Sequence, residues 1–550
     1  MIQLSPLLLL PLFSVFNSIA DASTEYLRPQ IHLTPDQGWM NDPNGMFYDR
    51  KDKLWHVYFQ HNPDKKSIWA TPVTWGHSTS KDLLTWDYHG NALEPENDDE
   101  GIFSGSVVVD RNNTSGFFND STDPEQRIVA IYTNNAQLQT QEIAYSLDKG
   151  YSFIKYDQNP VINVNSSQQR DPKVLWHDES NQWIMVVAKT QEFKVQIYGS
   201  PDLKKWDLKS NFTSNGYLGF QYECPGLFKL PIENPLNDTV TSKWVLLLAI
   251  NPGSPLGGSI NEYFIGDFDG TTFHPDDGAT RFMDIGKDFY AFQSFDNTEP
   301  EDGALGLAWA SNWQYANTVP TENWRSSMSL VRNYTLKYVD VNPENYGLTL
   351  IQKPVYDTKE TRLNETLKTL ETINEYEVND LKLDKSSFVA TDFNTERNAT
   401  GVFEFDLKFT QTDLKMGYSN MTTQFGLYIH SQTVKGSQET LQLVFDTLST
   451  TWYIDRTTQH SFQRNSPVFT ERISTYVEKI DTTDQGNVYT LYGVVDRNIL
   501  ELYFNDGSIA MTNTFFFREG KIPTSFEVVC DSEKSFITID ELSVRELARK

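Results

Sequence analysis

The sequence predicts an all-β protein in which a five-bladed β-propeller is followed by a C-terminal β-sandwich. Short runs rich in Val, Ile, Tyr, Phe and Trp alternate with clusters of Gly, Pro, Asn and Asp, which is typical of strands and turns. Helical periodicity is hard to find. A set of three such runs also recurs five times before the pattern changes near residue 346.

The N-terminal segment, residues 1–22, predicts a cleaved secretory signal. An apolar run from Leu7 to Phe16 is followed by small residues with an A-x-A match at Ala20 and Ala22. The run is too short to span a bilayer, and no later apolar segment is long enough. We therefore expect a secreted protein that has no membrane as a partner.

Composition narrows the partners further. The formal net charge of -28 argues against nucleic acid. Two cysteines are too few for a disulfide framework, so the fold must depend on its own core. Sequons behind an export signal predict N-linked glycans. They lie at Asn112, Asn113, Asn119, Asn165, Asn211, Asn237, Asn333, Asn364, Asn398 and Asn420.

The repeated set of runs predicts a propeller over residues 28–341. Its first occurrence reads NDPNGMFYDR, LWHVYFQHN and HSTSKDLLTW. An aromatic residue closes the third run of successive sets, at intervals that suit a four-stranded blade with its loops. These aromatic residues are Trp86, Phe153, Trp206 and Phe273.

Beyond the repeats the pattern changes twice. A Lys/Glu/Thr-rich stretch at 346–377 predicts a linker with some helix. Short alternating runs at 378–550, such as ILELYFND, have the spacing of a β-sandwich. This second domain would brace the propeller or form a dimer, and the sequence leaves both roles open.

Three acidic residues occupy matching places in the repeat. The first strand of each propeller blade lines the central channel, so matching positions converge there. These strands begin around Asp42, Asp171 and Glu223, with Phe103, Ser104 and Tyr290 at the two other places. A turn before proline explains Asp42 and Asp171 equally well, but it does not explain Glu223. Because crowded carboxylates cost stability, their convergence predicts a functional site.

Glycoside hydrolysis needs at least two carboxyl groups, here facing each other across the channel. The amides of Asn41 and Asn44 flank Asp42 and could keep it ionised, as a nucleophile requires. Glu223 lies in QYECPGL among apolar neighbours, where burial and like charge would raise its pKa, as a general acid requires. Asp171 follows Arg170 and could stay charged to bind substrate hydroxyls.

Other chemistries fit less well. The three acids could bind Ca²⁺, although the sequence has no D-x-D-x-D-G loop. The histidines show no metal-ligand spacing, which favours a core or surface role over metal binding, and there is no G-x-S-x-G element or phosphate-binding glycine loop. A non-catalytic carbohydrate-binding protein of the same fold stays an alternative, which the intact acids oppose.

The motifs WMNDPNG, RDPKV and ECPGL, in this order on the repeat pattern, resemble those of glycoside hydrolase family 32. The resemblance covers nearly the whole mature chain. It implies a β-fructofuranosidase that hydrolyses sucrose with retention of configuration and with some fructosyl transfer, and that uses no metal or cofactor. Asp42 would be the nucleophile, Glu223 the general acid/base and Asp171 the transition-state stabiliser. An exo-inulinase that acts on longer fructans is the alternative.

The resemblance also implies substrate-binding residues and an assembly. It implies homo-oligomers formed through the β-sandwich. One position departs from the pattern: Ala70 stands where glycine is expected after Trp69, which bears on acceptor preference. The expected substrate-binding residues are Asn41, Asn44, Gln60, Trp69, Phe103, Ser104, Arg170, Gln221, Asn251 and Trp309.

Overall fold

The computed structural model describes residues 25–64, 67–299, 303–355, 369–383, 388–392, 399–412, 424–433, 437–456, 462, 466–530 and 537–550. The predicted signal and the sequons Asn364, Asn398 and Asn420 lie outside these ranges. Among the residues described, no helix has the length and apolar character needed to cross a membrane.

The described residues of the N-terminal part form short strands and 3-10 turns, the latter at Pro124–Gln126, Thr190–Glu192 and Ala316–Thr318. Its strands are β1 (Gly38–Asp49), β2 (Leu54–Asn62), β3 (Thr74–Ser80), β4 (Asp87–Leu93), β5 (Gly101–Val109), β6 (Ile128–Asn135), β7 (Gln139–Ser146), β8 (Ile154–Lys155), β9 (Gln169–His177), β10 (Gln182–Lys189), β11 (Lys194–Ser200), β12 (Asp207–Thr213), β13 (Tyr222–Glu233), β14 (Ser242–Ile250), β15 (Ile260–Phe268), β16 (Phe273–Pro275), β17 (Tyr290–Ser294), β18 (Ala304–Trp309), β19 (Trp324–Arg325), β20 (Arg332–Asn342) and β21 (Asn345–Pro354).

These strands form antiparallel meanders. Strands β1 to β4, β5 to β8 and β9 to β12 pair in sequence order, and β19 adds to β1 in parallel. Strands β13 to β16 form a fourth meander, which continues through a parallel pairing of β13 and β20 into β17, β18, β20 and β21. The aromatic residues Trp86, Phe153 and Trp206 stand just before the fourth strand of their meanders, and Phe273 begins that strand in the next.

The first strands of the meanders lie side by side in a closed circuit. β1 neighbours β5, β5 neighbours β9, β9 neighbours β13, β13 neighbours β17, and β17 neighbours β1. This circuit is the arrangement that converging channel strands require. The all-β fold class is confirmed, and the circuit supports the count of five blades, which stays a prediction.

In the C-terminal part, the structure describes 3-10 turns at Asn505–Gly507 and Arg518–Gly520. Its strands are β22 (Leu370–Leu383), β23 (Phe388–Asp392), β24 (Val402–Gln411), β25 (Gln424–Ser431), β26 (Thr440–Asp446), β27 (Thr451–Asp455), β28 (Arg472–Tyr476), β29 (Asp481–Thr483), β30 (Gly486–Asp496), β31 (Ile499–Phe504), β32 (Ile509–Thr514), β33 (Pro523–Cys530) and β34 (Ile537–Arg549).

The C-terminal strands form two sheets around one apolar core. One sheet has the order β22-β34-β24-β30-β31-β32, with β29 beside β30, and the other has β23-β33-β25-β26-β27-β28. Alternate side chains of both sheets, including Phe405, Leu443 and Phe526, meet in a single buried cluster. Apolar residues at every second position of a strand produce this two-layer packing.

The predicted linker at 346–377 is strand at both of its ends. β21 pairs with β20 along its length, and its consecutive residues Leu350 and Ile351 are buried. β22 pairs with β34 although its side chains are mostly exposed and many are acidic. At the second end the Lys/Glu/Thr bias therefore reflects the exposed side chains of β22, and residues 356–368 between β21 and β22 lie outside the described ranges.

Buried charges join the N-terminal meanders to the C-terminal sheets. Arg332 on β20 is fully buried and reaches Glu501 of β31 and Asp284 at 2.9 Å each. His32 contacts the same Glu501 at 3.2 Å and Asp496 at 2.8 Å. Although burial alone would lower it, these two carboxylates raise the pKa of His32 to about 9. Buried charges are tolerated only when paired, so this contact has one well-defined geometry.

Replacing Arg332 with Met should strongly destabilise the protein. The change leaves Asp284 without its buried cation and Glu501 with His32 alone, and breaking a buried ion pair costs about 3–5 kcal/mol in comparable cases. Thermal unfolding followed by circular dichroism measures the loss. Arg281→Met is the control, because its pair with Asp277 is partly exposed and should contribute little. Equal stability of the two variants would contradict this interpretation.

Candidate active site

Each of the five strands in this circuit contains a β-bulge, and the five bulges lie at matching positions of the repeat. In β1, β5, β9, β13 and β17 the pairing register shifts near residues 41, 104, 171, 224 and 291, so that an extra residue enters the inner strand. At three of these places the extra residues have positive φ: Asp171 (68°), Cys224 (39°) and Ala291 (54°). Bulges redirect side chains, and here they turn the inner strands towards one cavity.

Asp42 lies inside β1 rather than in a turn. Its neighbours Met40 and Pro43 pair with β2 on either side of the bulge, so the turn-forming residues of WMNDPNG shape an irregular strand. Asn41 donates to Asp42 Oδ1 at 3.0 Å, and Ser104 donates to Oδ2 at 2.8 Å. Burial raises the pKa of Asp42 above its usual value and outweighs these hydrogen bonds, which lower it. The expectation that neighbouring amides keep Asp42 ionised therefore needs qualification by burial.

Glu223 lies among polar partners. Arg170 Nη2 lies 2.6 Å from its Oε1, Gln221 donates to the same oxygen at 3.2 Å, and the Tyr290 hydroxyl donates to Oε2. The expected apolar surroundings are therefore wrong, because the bulge turns the carboxyl away from its sequence neighbours and towards β9 and β17.

Asp171 completes the acidic group. Its Oδ2 accepts from the Cys224 backbone N–H at 3.0 Å, and the Cys224 sulfur lies 3.6 Å from this oxygen and 3.5 Å from Asp42 Oδ2. Burial raises the pKa of Asp171 to about 7, although the Arg170 charge opposes the shift. The expectation that Asp171 is simply kept charged by Arg170 therefore needs correction: burial outweighs the cation.

A cavity of about 380 Å³ opens above these groups. It brings together most of the substrate-binding residues expected from the sequence. Its lining consists of Asn41, Asp42, Gln60, Trp69, Phe103, Ser104, Gln168, Arg170, Asp171, Gln191, Gln221, Glu223, Asn251 and Trp313.

Two expected residues do not line the cavity. Asn44 is fully buried two residues beyond Asp42, on the opposite side of the Pro43 bulge. Trp309 is also fully buried, and it packs behind Trp313 with ring centroids 4.9 Å apart. In β18 the Trp309 backbone pairs with Tyr290, and its ring joins the apolar cluster around Trp39.

Sequence reasoning missed several lining residues. Trp313 lies four residues after Trp309 in WASNW, and only the course of the chain after β18 decides which ring faces the cavity. Gln168 lies just before β9, Gln191 lies in the 3-10 turn after β10, and neither belongs to a motif. Tyr290 holds the fifth matching position of the repeat, and this position was the available signal for its contact with Glu223.

The charges of the site are unbalanced. The cavity lining carries three carboxyl groups and one guanidinium, that of Arg170. Although burial alone would lower it, Glu223 and Asp171 raise the pKa of Arg170 above its usual value. Within the described ranges, no group of three or more His, Cys, Asp or Glu side chains could hold a metal ion. A carboxyl group with two hydrogen-bond donors and a second carboxyl group from another strand of the circuit are the kind of groups that glycoside hydrolysis needs.

Comparisons with known families match nearly the whole chain. Residues 32–354 match the model of the glycosyl hydrolases family 32 N-terminal domain. Residues 365–546 match the model of the glycosyl hydrolases family 32 C-terminal domain.

Known relatives are similar over their full length. An invertase of Debaryomyces hansenii is 53% identical over 99% of this chain and 98% of its own length. An extracellular exo-inulinase of Meyerozyma guilliermondii is 49% identical over 96% of each chain. The structure of a β-fructofuranosidase from Schwanniomyces occidentalis complexed with fructosyl-erythritol has a TM-score of 0.88 and 53% identity, and the match covers 96% of this chain and 98% of that one.

The Asp171→Asn variant should be more stable than the parent at neutral pH. Since burial raises the folded-state pKa of Asp171 to about 7, folding favours the protonated carboxyl. This stabilisation is complete below about pH 3.9 and is lost as the pH rises through 7. The amide removes the cost of the buried charge, at most about 4 kcal/mol. The melting temperature of Asp171→Asn should therefore exceed that of the parent at pH 7.5 and equal it at pH 4.

The exposed Asp52 provides a control, because its pKa is shifted in the opposite direction to that of Asp171. Its hydrogen bond with Lys149 lowers its pKa, so Asp52→Asn should not stabilise the protein at pH 7.5. A gain for Asp171→Asn that is equal at both pH values would show that the charge of Asp171 is not its cause.

Proposed function

This chain belongs to glycosyl hydrolase family 32, and from this membership we propose that it is a secreted β-fructofuranosidase of the invertase type. It hydrolyses the terminal β-fructofuranoside of sucrose and related sugars. The observation that carries the proposal is the delivery of Asp42 and Glu223 to one cavity by β1 and β13, from parts of the chain that are distant in sequence.

Asp42 serves as the nucleophile in this proposal. Hydrogen bonds from Asn41 and Ser104 fix both oxygens and favour the ionised form. The carboxylate attacks the anomeric C2 of fructose, the bond from C2 to the glycosidic oxygen breaks, and a covalent fructosyl ester forms. The bulge in β1 directs the Asp42 carboxylate into the cavity and so places it close to this carbon.

Glu223 serves as the general acid and then as the base. It gives its proton to the departing glucose oxygen and later takes one from the water that attacks the ester. Negative charges on Asp42 and Glu223 repel each other. Esterification of Asp42 removes its charge, so the second step begins without this repulsion. Arg170 and Tyr290 hold the carboxyl in place through both steps.

Asp171 serves as the transition-state stabiliser. An oxocarbenium-like ring gains positive charge, and nearby carboxylates lower its energy. The Cys224 N–H fixes one oxygen of Asp171, which leaves the other for the hydroxyl groups of fructose. If a sugar replaces water in the second step, the product is a transferred fructosyl unit.

The wider setting follows the same proposal. We assign residues 1–22 to a secretory signal and the C-terminal sheets to homo-oligomer formation. N-linked glycans fit the surface, because Asn112, Asn119, Asn165, Asn211 and Asn237 are exposed. Asn113 and Asn333 are partly buried and so are poorer acceptors.

Exo-inulinase activity is the second candidate. A relative at 49% identity bears that name. The rim of the cavity also exposes apolar side chains beyond the fructose position: Trp69 is 38% exposed, Ile68 44% and Phe220 70%. Such surfaces suit further sugar units, so chain length is decided at this rim.

Asp42→Asn should abolish sucrose hydrolysis and leave the fold intact. The amide cannot form the fructosyl ester, and loss of a nucleophile typically lowers kcat on the order of 10⁴-fold or more. Release of reducing sugar measures activity, and the melting temperature monitors folding. Asp36→Asn, an exposed acid on the approach to β1, should keep full activity. Normal turnover by Asp42→Asn would exclude this residue as the nucleophile.

Sucrose should be hydrolysed faster than inulin at matched concentrations of fructosyl ends. The reason is that the cavity of about 380 Å³ holds a small sugar, whereas longer chains must cross the open rim. Initial rates of fructose release compare the two substrates. A higher kcat/KM on inulin would favour the exo-inulinase alternative, and hydrolysis of neither would contradict the proposed function.

A further inference from the structure

The outer rim of the cavity includes a loop at residues 251–258. It follows β14 and begins with Asn251, which lines the cavity. The loop closes on itself, since the Ser254 N–H donates to Gly258 O at 3.1 Å and the Gly257 N–H donates to Ser254 O at 2.8 Å. We call residues 251–258 the rim loop.

The rim loop contacts the rim on both sides. The Phe220 N–H donates to Pro252 O at 3.1 Å, next to Gln221 and its bond to Glu223. On the other side, a Cβ on Gly258 would lie 1.9 Å from Asn312 Oδ1, so only glycine allows this approach to the segment that carries Trp313. The position of the loop therefore sets the distance between two walls of the cavity.

Lys287 connects the rim loop to the C-terminal sheets. Its ammonium group donates to Leu256 O at 2.8 Å, to Val468 O at 3.1 Å and to Thr470 Oγ1 at 2.5 Å. An ammonium has three donors, and all three are used: one on the rim loop and two on residues that follow β27. The residue is 3% exposed. Burial and the nearby charge of Arg456 lower the pKa of Lys287 to about 8, although the charge of Asp288 opposes this shift.

The backbone around Lys287 is itself fixed to β32. The Ile285 N–H donates to Ala510 O at 2.9 Å, and the Asp288 N–H donates to Thr512 O at 3.0 Å. The Lys287 N–H donates to Asn513 Oδ1 at 3.0 Å. The backbone of Lys287 is therefore fixed to the C-terminal sheets, and its side chain reaches from there to the rim loop.

We propose that Lys287 is a positioning residue that ties the rim loop to the C-terminal sheets and so sets the fit of the leaving group and of the acceptor sugar. The inference rests on the proposed β-fructofuranosidase function. In the proposed function fructose binds beneath the rim, so its contacts do not depend on the link between Lys287 and the rim loop. The glucose part of sucrose lies at the rim, and so does any sugar that accepts a fructosyl unit.

Lys287→Met removes all three donors and keeps an unbranched side chain that is one atom shorter. We expect KM for sucrose to rise about fivefold, the size that one lost hydrogen bond of ordinary strength allows. KM for methyl β-D-fructofuranoside, which lacks the glucose part, should stay unchanged. Thr470→Val removes a single acceptor in the connection between β27 and β28 and should raise KM for sucrose about twofold. This second variant keeps the test valid if Lys287→Met folds poorly.

Thr512→Val is the matched control. It removes a hydroxyl that bonds Asp284 and Arg332 in the same contact between the two parts but does not touch the rim loop. It should lower the melting temperature without changing the ratio of the two KM values. Equal changes for both substrates in Lys287→Met, or the same shift in Thr512→Val, would overturn the inference.

Hydrogen–deuterium exchange separates this inference from the proposed function. Peptides covering residues 251–258 should exchange faster in Lys287→Met and Thr470→Val than in the parent, and Thr512→Val should not show this change there. The exchange result does not depend on activity. A rim loop that exchanges equally in all variants would refute the tie, whereas a parent enzyme that hydrolyses neither fructoside would refute only the function.

Discussion

Mutual repulsion of buried carboxyl groups is the constraint around which the rest of the molecule is arranged. Asp42 and Asp171 each have an oxygen within 3.6 Å of the Cys224 sulfur, and Glu223 adjoins that residue in the chain. One guanidinium, that of Arg170, lines the cavity with them. Such a group is stable only if the backbone holds it in place, because each carboxyl would lower its energy by moving to water.

The backbone holds the group through irregular strands. Asp171 and Cys224 have positive φ, a conformation that costs energy for residues other than glycine. It persists because each bulged strand is paired with the next strand of its own meander and packed between two neighbours in the circuit. The circuit is braced from outside in turn, since Arg332 and His32 bind carboxylates of the C-terminal sheets.

The sequence was informative wherever a residue type had one physical reason to stand at its position. The repeat placed Asp42, Asp171, Glu223 and even Tyr290 at matching points, because strand order alone brings such points together. It could not predict which of Trp309 and Trp313 faces the cavity, since that depends on how the chain leaves β18. It also misjudged the surroundings of Glu223, because sequence neighbours are a poor guide to contacts once a bulge redirects the side chain.

The same contacts explain why the C-terminal sheets are more than a support. Segment 284–288 bonds to β32 along its backbone, and two residues later Tyr290 donates to Glu223. Separating the two parts would remove Glu501 from Arg332 and Arg456 from Asp288, at a cost that no exposed surface pair repays. The meanders are therefore not an independent unit to which the sheets were added. The acid/base and the surface that holds its partner form one cooperative structure, so changes in the C-terminal sheets reach the cavity through a short, rigid path.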